Sequence, residues 1–334
     1  MYINQYHTID ISKSSFLITG GAGFIGSNIV EYLLKYSPLK VRVLDNLSNG
    51  YFENIKPFLS YDNFEYVEGD IRNFQTCKNA LIGIDYVSHQ AALGSVPRSI
   101  QDPITSNDVN INGFLNILMA VKESNQVKRM VYAASSSSYG DSEELPKVEG
   151  NEGDPLSPYA VTKLVNELYA NVFSKVYGIH TIGLRYFNVF GPKQNPNNPY
   201  AAVIPLFIKS ALNGTPPNIF GDGNTARDFT FIENVIQANI KALFIKDNLI
   251  KHEVINIACG EKNSLLDIWN LLKTMIQLKI DPIFLNERDG DIKVSLANIQ
   301  KAKNLISYVP EIFLEKGLKY TLDYYLMNPS IINS

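Results

Sequence analysis

The sequence has little of what marks a disulfide-bonded, membrane-spanning or nucleic-acid-binding protein. Its 334 residues include two cysteines, Cys77 and Cys259, which cannot build a disulfide framework and show no metal-ligand spacing. No apolar run approaches the roughly 18 residues of a membrane span, and no secretion signal is visible. A formal net charge of −3 provides no basic field for nucleic acid. We therefore expect inert thiols, no metal, and a cytoplasmic protein without membrane or nucleic-acid partners.

What is present is a regular alternation of short β-branched runs with helical patterns. Strands are predicted at 15–19, 41–45, 63–70, 85–90, 129–135 and 180–186. Such alternation is typical of right-handed βαβ units that build a parallel sheet covered on both faces. The predicted fold is α/β, a Rossmann-type doubly wound parallel sheet with a smaller C-terminal substrate-binding domain.

The pattern changes after Asn188, where prolines at 192, 196 and 199 predict a loop. We expect a dinucleotide-binding domain at 1–187 and a substrate-binding domain at 188–334. The boundary is soft, because 254–258 has the composition of another buried strand. Parts of 228–260 are therefore expected to rejoin the sheet.

A glycine-rich turn follows the first predicted strand and contains Gly20, Gly23 and Gly26. Glycines at this place allow a tight turn, close approach of a pyrophosphate and close packing of helix on strand, and the helix N-terminus attracts phosphate. Asp45 ends the second predicted strand. A carboxylate there accepts hydrogen bonds from a ribose and repels a 2′-phosphate, so NAD is favoured over NADP. The alternative is that these glycines serve only a tight turn between strand and helix and bind no cofactor.

The ends of the third and fourth predicted strands offer further cofactor contacts. Asp70 and Ile71 follow the third strand and are expected beside the adenine. After the fourth, small residues are expected beside the pyrophosphate and ribose, namely Gln90, Ala91 and Ala92.

The strongest chemical signal is the pair Tyr159 and Lys163. Ser157 can cap a helix that Pro158 begins, so the two side chains lie one turn apart on one face. A phenol has a reference pKa near 10, so a base that works near pH 7 needs roughly 4 kcal/mol of stabilisation. One cation about 4 Å away supplies about that much at an effective dielectric of 20. The alternative is an exposed pair on an ordinary helix.

Four consecutive serines, Ser135 to Ser138, follow the fifth predicted strand, where open α/β sheets bind their ligands. A hydroxyl there can relay a proton between a substrate oxygen and Tyr159. A simple polar turn is the alternative.

Together the glycine trio, the serine run, the Tyr-x-x-x-Lys pair and RYFNVFGP resemble the extended short-chain dehydrogenase/reductase family. Within it the chain is most similar to UDP-N-acetylglucosamine 4-epimerases of bacterial surface-polysaccharide pathways, from about Ser15 to Ile306. The resemblance implies an isomerase in which Tyr159 removes the 4-hydroxyl proton and a 4-keto sugar is reduced on its other face. It makes Ser135 the catalytic hydroxyl and adds cofactor contacts at Phe24, Ile25, Asn46, Asn110, Tyr159, Lys163 and Tyr186.

The residues after Ser135 bear on the reaction. Related 4,6-dehydratases carry Asp-Glu there, whereas this chain has Ser136 and Ser137, which we expect to contact the sugar. Without an acid pair, elimination of water is disfavoured and epimerisation is favoured.

The same resemblance implies a UDP-sugar substrate. Ser295 stands where a large tyrosine excludes N-acetyl sugars in some galactose epimerases, so UDP-GlcNAc/UDP-GalNAc interconversion is expected, with UDP-glucose/UDP-galactose as a tolerated pair. Arg98 leaves uronic acid forms open, because it could meet a carboxylate. The other expected substrate contacts are Gly94, Ser95, Val96, Asn188, Gln194, Ala202, Val203, Ile219, Phe220, Arg227, Arg288 and Asp291.

Two rival functions remain at this point. A nucleotide-sugar decarboxylase or reductase on the same scaffold would change the mass of the sugar or accumulate NADH. An NAD-sensing protein without catalysis would not need both Tyr159 and Lys163. A homodimer is also expected by resemblance, with Phe114, Leu118, Leu164 and Leu168 as apolar contacts.

Overall fold

The computed structural model describes residues 4–245, 250–287 and 293–333. The strands, numbered in chain order, are β1 Ser15–Thr19, β2 Lys40–Asp45, β3 Phe64–Glu68, β4 Tyr86–His89, β5 Arg129–Ser135, β6 Thr181–Tyr186, β7 Val189–Phe190, β8 Asn218–Phe220, β9 Ala226–Arg227, β10 Thr230–Phe231, β11 His252–Ile257, β12 Asn263–Ser264, β13 Ile283–Leu285 and β14 Val294–Ser295.

The helices follow the same convention. They are α1 Phe24–Lys35, α2 Phe74–Ala80, α3 Val96–Gln101, α4 Pro103–Asn107, α5 Gly113–Glu123, α6 Pro158–Tyr177, α7 Val203–Leu212, α8 Ile232–Leu243, α9 Leu265–Ile276, α10 Gln300–Ile306, α11 Leu314–Met327 and α12 Ser330–Asn333. A π-helical turn, Asp108–Asn112, joins α4 to α5.

Seven parallel strands form the central sheet in the order β11-β6-β5-β4-β1-β2-β3. The chain leaves β1 toward β2 on one side and returns to β4 on the other, so the topological switch point lies between β1 and β4. Open α/β sheets bind ligands outside the carboxyl ends of the strands at such a point. The predicted Rossmann-type α/β fold is confirmed.

The sheet also contains the strand that the sequence suggested at 254–258. It is β11, and it pairs with β6 at the edge of the sheet. The rest of the C-terminal half contributes three small sheets, β7 with β10, β9 with β12 and β14, and β8 with β13. The two-domain division at residues 187 and 188 stays a prediction.

Apolar clusters cover both faces of the central sheet. One contains residues of α1, α8 and the C-terminal helices, and the other contains residues of α2, α5 and α6. Because β1 is buried along its whole length, its apolar run SFLIT suits a central parallel strand. Among the described residues, no helix combines the length and apolarity of a membrane crossing.

Candidate active site

A cleft of about 440 Å³ opens at the carboxyl ends of β1, β2, β4, β5 and β6. It lies at the switch point between β1 and β4, as the topology predicts. Twenty of the residues predicted from the sequence line this one cleft, namely Gly20, Gly23, Phe24, Ile25, Gly26, Asp45, Asn46, Asp70, Ile71, Gln90, Ala91, Ala92, Gly94, Ser95, Ser135, Tyr159, Lys163, Tyr186, Gln194 and Ala202.

Two positions of the glycine turn, Gly20 and Gly26, have no room for a side chain. Gly20 has a φ of +66°, and a Cβ there would lie 2.6 Å from the Ala91 nitrogen. At Gly26 a Cβ would lie 2.2 Å from the Gly20 carbonyl oxygen. Both obstacles are backbone atoms, so no side-chain movement relieves them. Only glycine lets α1 begin this close to β1, with its free N–H groups toward the cleft.

Asp45 stands at the end of β2 with 8% of its surface exposed. Its carboxylate accepts hydrogen bonds from the backbone N–H groups of Ala22 (2.9 Å) and Leu47 (2.8 Å). Burial raises the pKa of the carboxyl, and the two N–H bonds oppose that rise. The Ala22 bond ties the carboxylate to the glycine turn, where a ribose hydroxyl beside the diphosphate would reach it.

Asp70 occupies the end of the neighbouring strand. Its carboxylate accepts from the Arg72 guanidinium at 2.7 Å and from the Asn46 amide at 2.9 Å. The Arg72 hydrogen bond is the main reason that the pKa of Asp70 lies below its ordinary value. Asp70 and Asn46 thus present a fixed polar edge to the cleft.

Tyr159 and Lys163 face the cleft from the first turns of α6. The Lys163 ammonium lies 5.9 Å from the centroid of the Tyr159 ring and donates a 2.8 Å hydrogen bond to the Ala133 carbonyl. Lys163 is 3% exposed, and burial lowers its pKa to about 8. At pH 7 such a group keeps roughly nine-tenths of its charge. A cation is therefore held next to the phenol.

Ser135 connects the serine run to the phenol. Its hydroxyl oxygen accepts hydrogen bonds from the Ser137 backbone N–H (3.1 Å) and the Ser137 hydroxyl (2.8 Å). Because the Ser135 oxygen accepts twice, its own proton remains for the Tyr159 oxygen. Burial raises the pKa of Tyr159, and the hydrogen bond with Ser135 opposes that rise. The three predicted catalytic side chains therefore form one connected group.

The first turn of α6 is fixed as the sequence predicted. Ser157 accepts a hydrogen bond from the Ala160 N–H, and proline occupies the first turn. In addition, the Tyr159 N–H donates to the Ser99 hydroxyl at 3.0 Å. These contacts orient the helix end from which Tyr159 enters the cleft.

Asn110 lies behind the wall of the cleft, in the π-helical turn, with 1% of its surface exposed. Its carbonyl accepts from the Leu93 N–H at 2.8 Å, and its amide donates to the Leu93 carbonyl and to Thr162, each at 3.1 Å. It thereby links the loop after β4 to α6 beside Lys163. In this arrangement Asn110 positions the wall without lining it.

In the part of the chain that the structure describes, the remaining predicted substrate residues lie away from the lining of the cleft. Ile219 is fully buried in the core, while Arg227 and Ser295 are register partners on β9 and β14. Arg288 and Asp291 fall outside the described residues. Val96, Ser136, Ser137, Asn188, Val203 and Phe220 also do not line the cleft, and their roles stay predictions.

Several lining residues were missed by the sequence reasoning. They come from the loop after β2 and from the proline-containing loop before α7, namely Ser48, Asn49, Gly50, Tyr51, Lys193, Asn195, Asn198, Tyr200 and Ala201. The prolines predicted a loop there, but nothing in its sequence showed that it returns to the glycine turn. That return is held by the Asn28 amide, which donates to the Pro192 carbonyl at 3.2 Å.

Fold and cleft together define a Rossmann-type dinucleotide-binding protein with a Ser-Tyr-Lys group. The glycine turn leaves the space that a diphosphate needs, and Asp45 offers a carboxylate beside it. The chain belongs to the NAD dependent epimerase/dehydratase family, whose model matches residues 16–258. The extended short-chain dehydrogenase/reductase family and the NAD cofactor expected from the sequence are thereby confirmed.

Known relatives cover nearly the whole chain. A putative UDP-glucose 4-epimerase of Methanocaldococcus jannaschii is 35% identical over 92% of this chain and 97% of its own length. Among solved structures, the UDP-N-acetylglucosamine 4-epimerase from Methanobrevibacter ruminantium M1, in complex with UDP-N-acetylmuramic acid, is 38% identical, with a TM-score of 0.89 over 95% of this chain and 99% of that one. The UDP-glucuronic acid 4-epimerase from Bacillus cereus, in complex with UDP-glucuronic acid and NAD, is 34% identical, with a TM-score of 0.86 over 94% and 99%.

Proposed function

We propose that this protein is an NAD-dependent 4-epimerase of UDP-sugars and that its preferred pair is UDP-GlcNAc and UDP-GalNAc. The observation that carries the reaction is the connected group of Ser135, Tyr159 and Lys163 in the same cleft as the glycine turn. The relatives, whose names include 4-epimerases of three UDP-sugar classes, support the same reaction.

Each side chain has a task in the proposed reaction. Bound NAD supplies a reversible hydride acceptor for C4 of the sugar. Tyr159 takes the proton of the 4-hydroxyl and later returns it. Ser135 donates a hydrogen bond to the Tyr159 oxygen, whose charge changes during this transfer. Lys163 keeps a positive charge beside the phenol and so stabilises the phenolate. The 4-keto sugar turns about its diphosphate linkage before its other face is reduced.

The choice of an N-acetyl sugar depends on Ser295. This half-buried residue on β14 lies outside the lining of the cleft, and it is by the family resemblance that a small side chain at this position leaves space for an acetamido group. The 38% identical relative that is a UDP-N-acetylglucosamine 4-epimerase agrees with this choice. UDP-glucose would be tolerated by the same space.

The reaction is tested with the protein as purified and without added NAD. UDP-GlcNAc, UDP-glucose, UDP-glucuronic acid and UDP-N-acetylglucosaminuronic acid are offered singly, and products are followed by proton NMR and mass spectrometry. We expect inversion at C4 with unchanged mass, fastest for UDP-GlcNAc. Loss of carbon dioxide or water, or stoichiometric NADH, would contradict an epimerase, while a faster uronic acid would contradict only the sugar preference.

A matched variant addresses the sugar. Ser295→Tyr fills the proposed space, so we expect UDP-GlcNAc turnover to fall at least tenfold while UDP-glucose turnover is retained. Ser295→Ala serves as the control, since it keeps the space open. If Ser295→Tyr loses turnover equally with both sugars, the size of the side chain at position 295 does not select the sugar.

We further propose a homodimer that uses the outer face of α6. Leu168, Val172 and Val176 recur at helical spacing and are 58%, 51% and 65% exposed. Phe114 and Leu118, which the sequence suggested as contacts, are instead fully buried in the core. Val172→Glu should yield a monomer in light scattering, whereas Lys316→Glu on α11 should leave the mass unchanged. An unchanged mass in Val172→Glu would argue against this surface.

A further inference from the structure

We propose that Arg98 binds the diphosphate of the dinucleotide and that it does so as part of a polar clasp that retains the cofactor. The Asn49 clasp consists of Asn49, Arg98, Gln101, Asn198 and Tyr200. The proposal rests on the NAD-dependent function but concerns cofactor retention, which is measured without any sugar.

The first observation concerns charge. Among the described residues, three cations line the cleft, Arg98, Lys163 and Lys193. Lys193 is paired with Glu31 at 2.6 Å. Lys163 donates to the Ala133 carbonyl beside the phenol. Arg98 differs from Lys193 because its partners are neutral. It differs from Lys163 because those partners, Asn49 and Tyr200, belong to loops and not to the strand beside the phenol.

Those partners leave the charge of Arg98 uncompensated. Its guanidinium stacks on the Tyr200 ring at 5.1 Å and donates to the Asn49 side-chain carbonyl at 3.2 Å. No ion pair joins it to another residue in the part of the chain that the structure describes. A stacked guanidinium is held in one orientation and can still offer its other N–H groups to a phosphate.

The second observation concerns the position of Arg98 relative to the glycine turn. Gly50, directly after Asn49, packs on the glycine turn so closely that a Cβ would lie 2.9 Å from the Ala22 carbonyl carbon. The Tyr51 N–H also donates to the Ala22 carbonyl at 3.0 Å. Ala22 lies within the glycine turn, where the diphosphate of a dinucleotide sits in this fold. The Asn49 contact therefore holds the guanidinium on the diphosphate side of the cleft.

The third observation is that the clasp crosses the cleft. The Asn49 carbonyl also accepts from the Asn198 amide at 3.3 Å, and the Tyr200 hydroxyl donates to the Gln101 carbonyl at 2.7 Å. Three separate segments, the loop after β2, α3 and the loop before α7, are thus joined over the same opening. A bound dinucleotide would have to break these contacts in order to leave.

Arg98 was also a candidate partner for a uronic acid carboxylate, and the clasp assigns it to the cofactor instead. Arg98→Gln keeps a polar side chain but removes the charge. NAD content and its rate of loss during exchange into cofactor-free buffer are measured by chromatography of the denatured protein. We expect NAD to leave about 10 to 100 times faster than from the unaltered protein, as for the loss of one charge-assisted contact. Arg98→Lys should show a smaller increase, because it keeps the charge without the planar stack.

Controls separate this role from folding and from sugar binding. Lys122→Gln removes a cation that also stacks on a tyrosine, at 5.4 Å from the Tyr177 ring, but lies outside the cleft, and should retain NAD fully. Circular dichroism with excess NAD verifies that Arg98→Gln is folded. If folded Arg98→Gln retains NAD as tightly as the unaltered protein, the proposal is wrong, and if it then loses only uronic acid turnover, Arg98 belongs to the sugar. If the unaltered protein does not epimerise any of the sugars but Arg98→Gln still loses NAD faster, the proposed epimerase function is wrong and the role of Arg98 in retaining NAD stands.

Discussion

Replacing Lys163 by methionine should stabilise the cofactor-free protein at pH 7. Burial lowers the pKa of Lys163 from its ordinary value near 10.5 to about 8. Because the unfolded chain then binds more protons than the folded one, the charge costs about 3 kcal/mol at pH 7. Methionine removes that cost but leaves the Ala133 carbonyl without its hydrogen bond, at about 1–3 kcal/mol. The net expectation is a gain of up to about 2 kcal/mol.

The pH dependence identifies the cause. A lysine with a lowered pKa destabilises the fold below pH 8, and the cost disappears as pH rises toward 10.5. It is about 2 kcal/mol at pH 9 and about 1 kcal/mol at pH 10. The stability difference between Lys163→Met and the unaltered protein should therefore shift by about 1 kcal/mol between pH 7 and pH 9, in favour of the unaltered protein.

Urea unfolding of both cofactor-free proteins between pH 7 and pH 9.5 measures this shift. Lys303→Met, an exposed lysine on α10, is the control and should show a difference that does not change with pH. The reasoning fails if the Lys163→Met difference is flat across that range. The same variant should lose about a hundredfold in turnover, because a cation 5.9 Å from the centre of the phenol ring stabilises the phenolate by about 3 kcal/mol at an effective dielectric of 20.

Three further changes test other parts of the site. Gly26→Ala places a Cβ 2.2 Å from a backbone oxygen, so we expect a protein less stable by about 1–3 kcal/mol that purifies without NAD, seen by thermal unfolding and cofactor content. Asp45→Ser removes the carboxylate that would repel a 2′-phosphate, and the ratio of the NADP to the NAD dissociation constant should fall at least tenfold in equilibrium binding. Tyr159→Phe should lower turnover at least a hundredfold while NAD content stays unchanged, and turnover near the unaltered rate would exclude the phenol as the base.

The sequence predicted well the features that depend on local chemistry. The β1 and β5 boundaries agree with the predicted strands, and the Ser157 cap with proline in the first turn is confirmed. The predicted strands also located the glycine turn, Asp45 and the serine run at the carboxyl edge of the sheet, because the carboxyl ends of parallel strands lie together. Periodicity and capping were sufficient for all of these.

Features that depend on packing between distant segments were not predicted. Helical periodicity runs from about 104 to 121 in the sequence, but the structure has a π-helical turn within this stretch, and the turn brings Asn110 to Leu93 and Thr162. No residue type marks such a turn in a sequence. The Asn49 clasp was missed for a similar reason, since its members come from three segments whose meeting is fixed by the tertiary fold.

Burial disfavours the charged form of Tyr159 and of Lys163 when each residue is taken alone, but the two residues must also be considered as a pair. It raises the pKa of the phenol and lowers that of the ammonium, so both shifts favour neutral groups. Loss of one proton from the pair gives a state without net charge, whichever residue supplies it. The Ala133 carbonyl holds the ammonium and the Ser135 hydroxyl favours the phenolate, but burial has the larger effect on the pKa of each group. The pair should therefore titrate as one unit, and its apparent pKa in a pH–rate profile belongs to both residues.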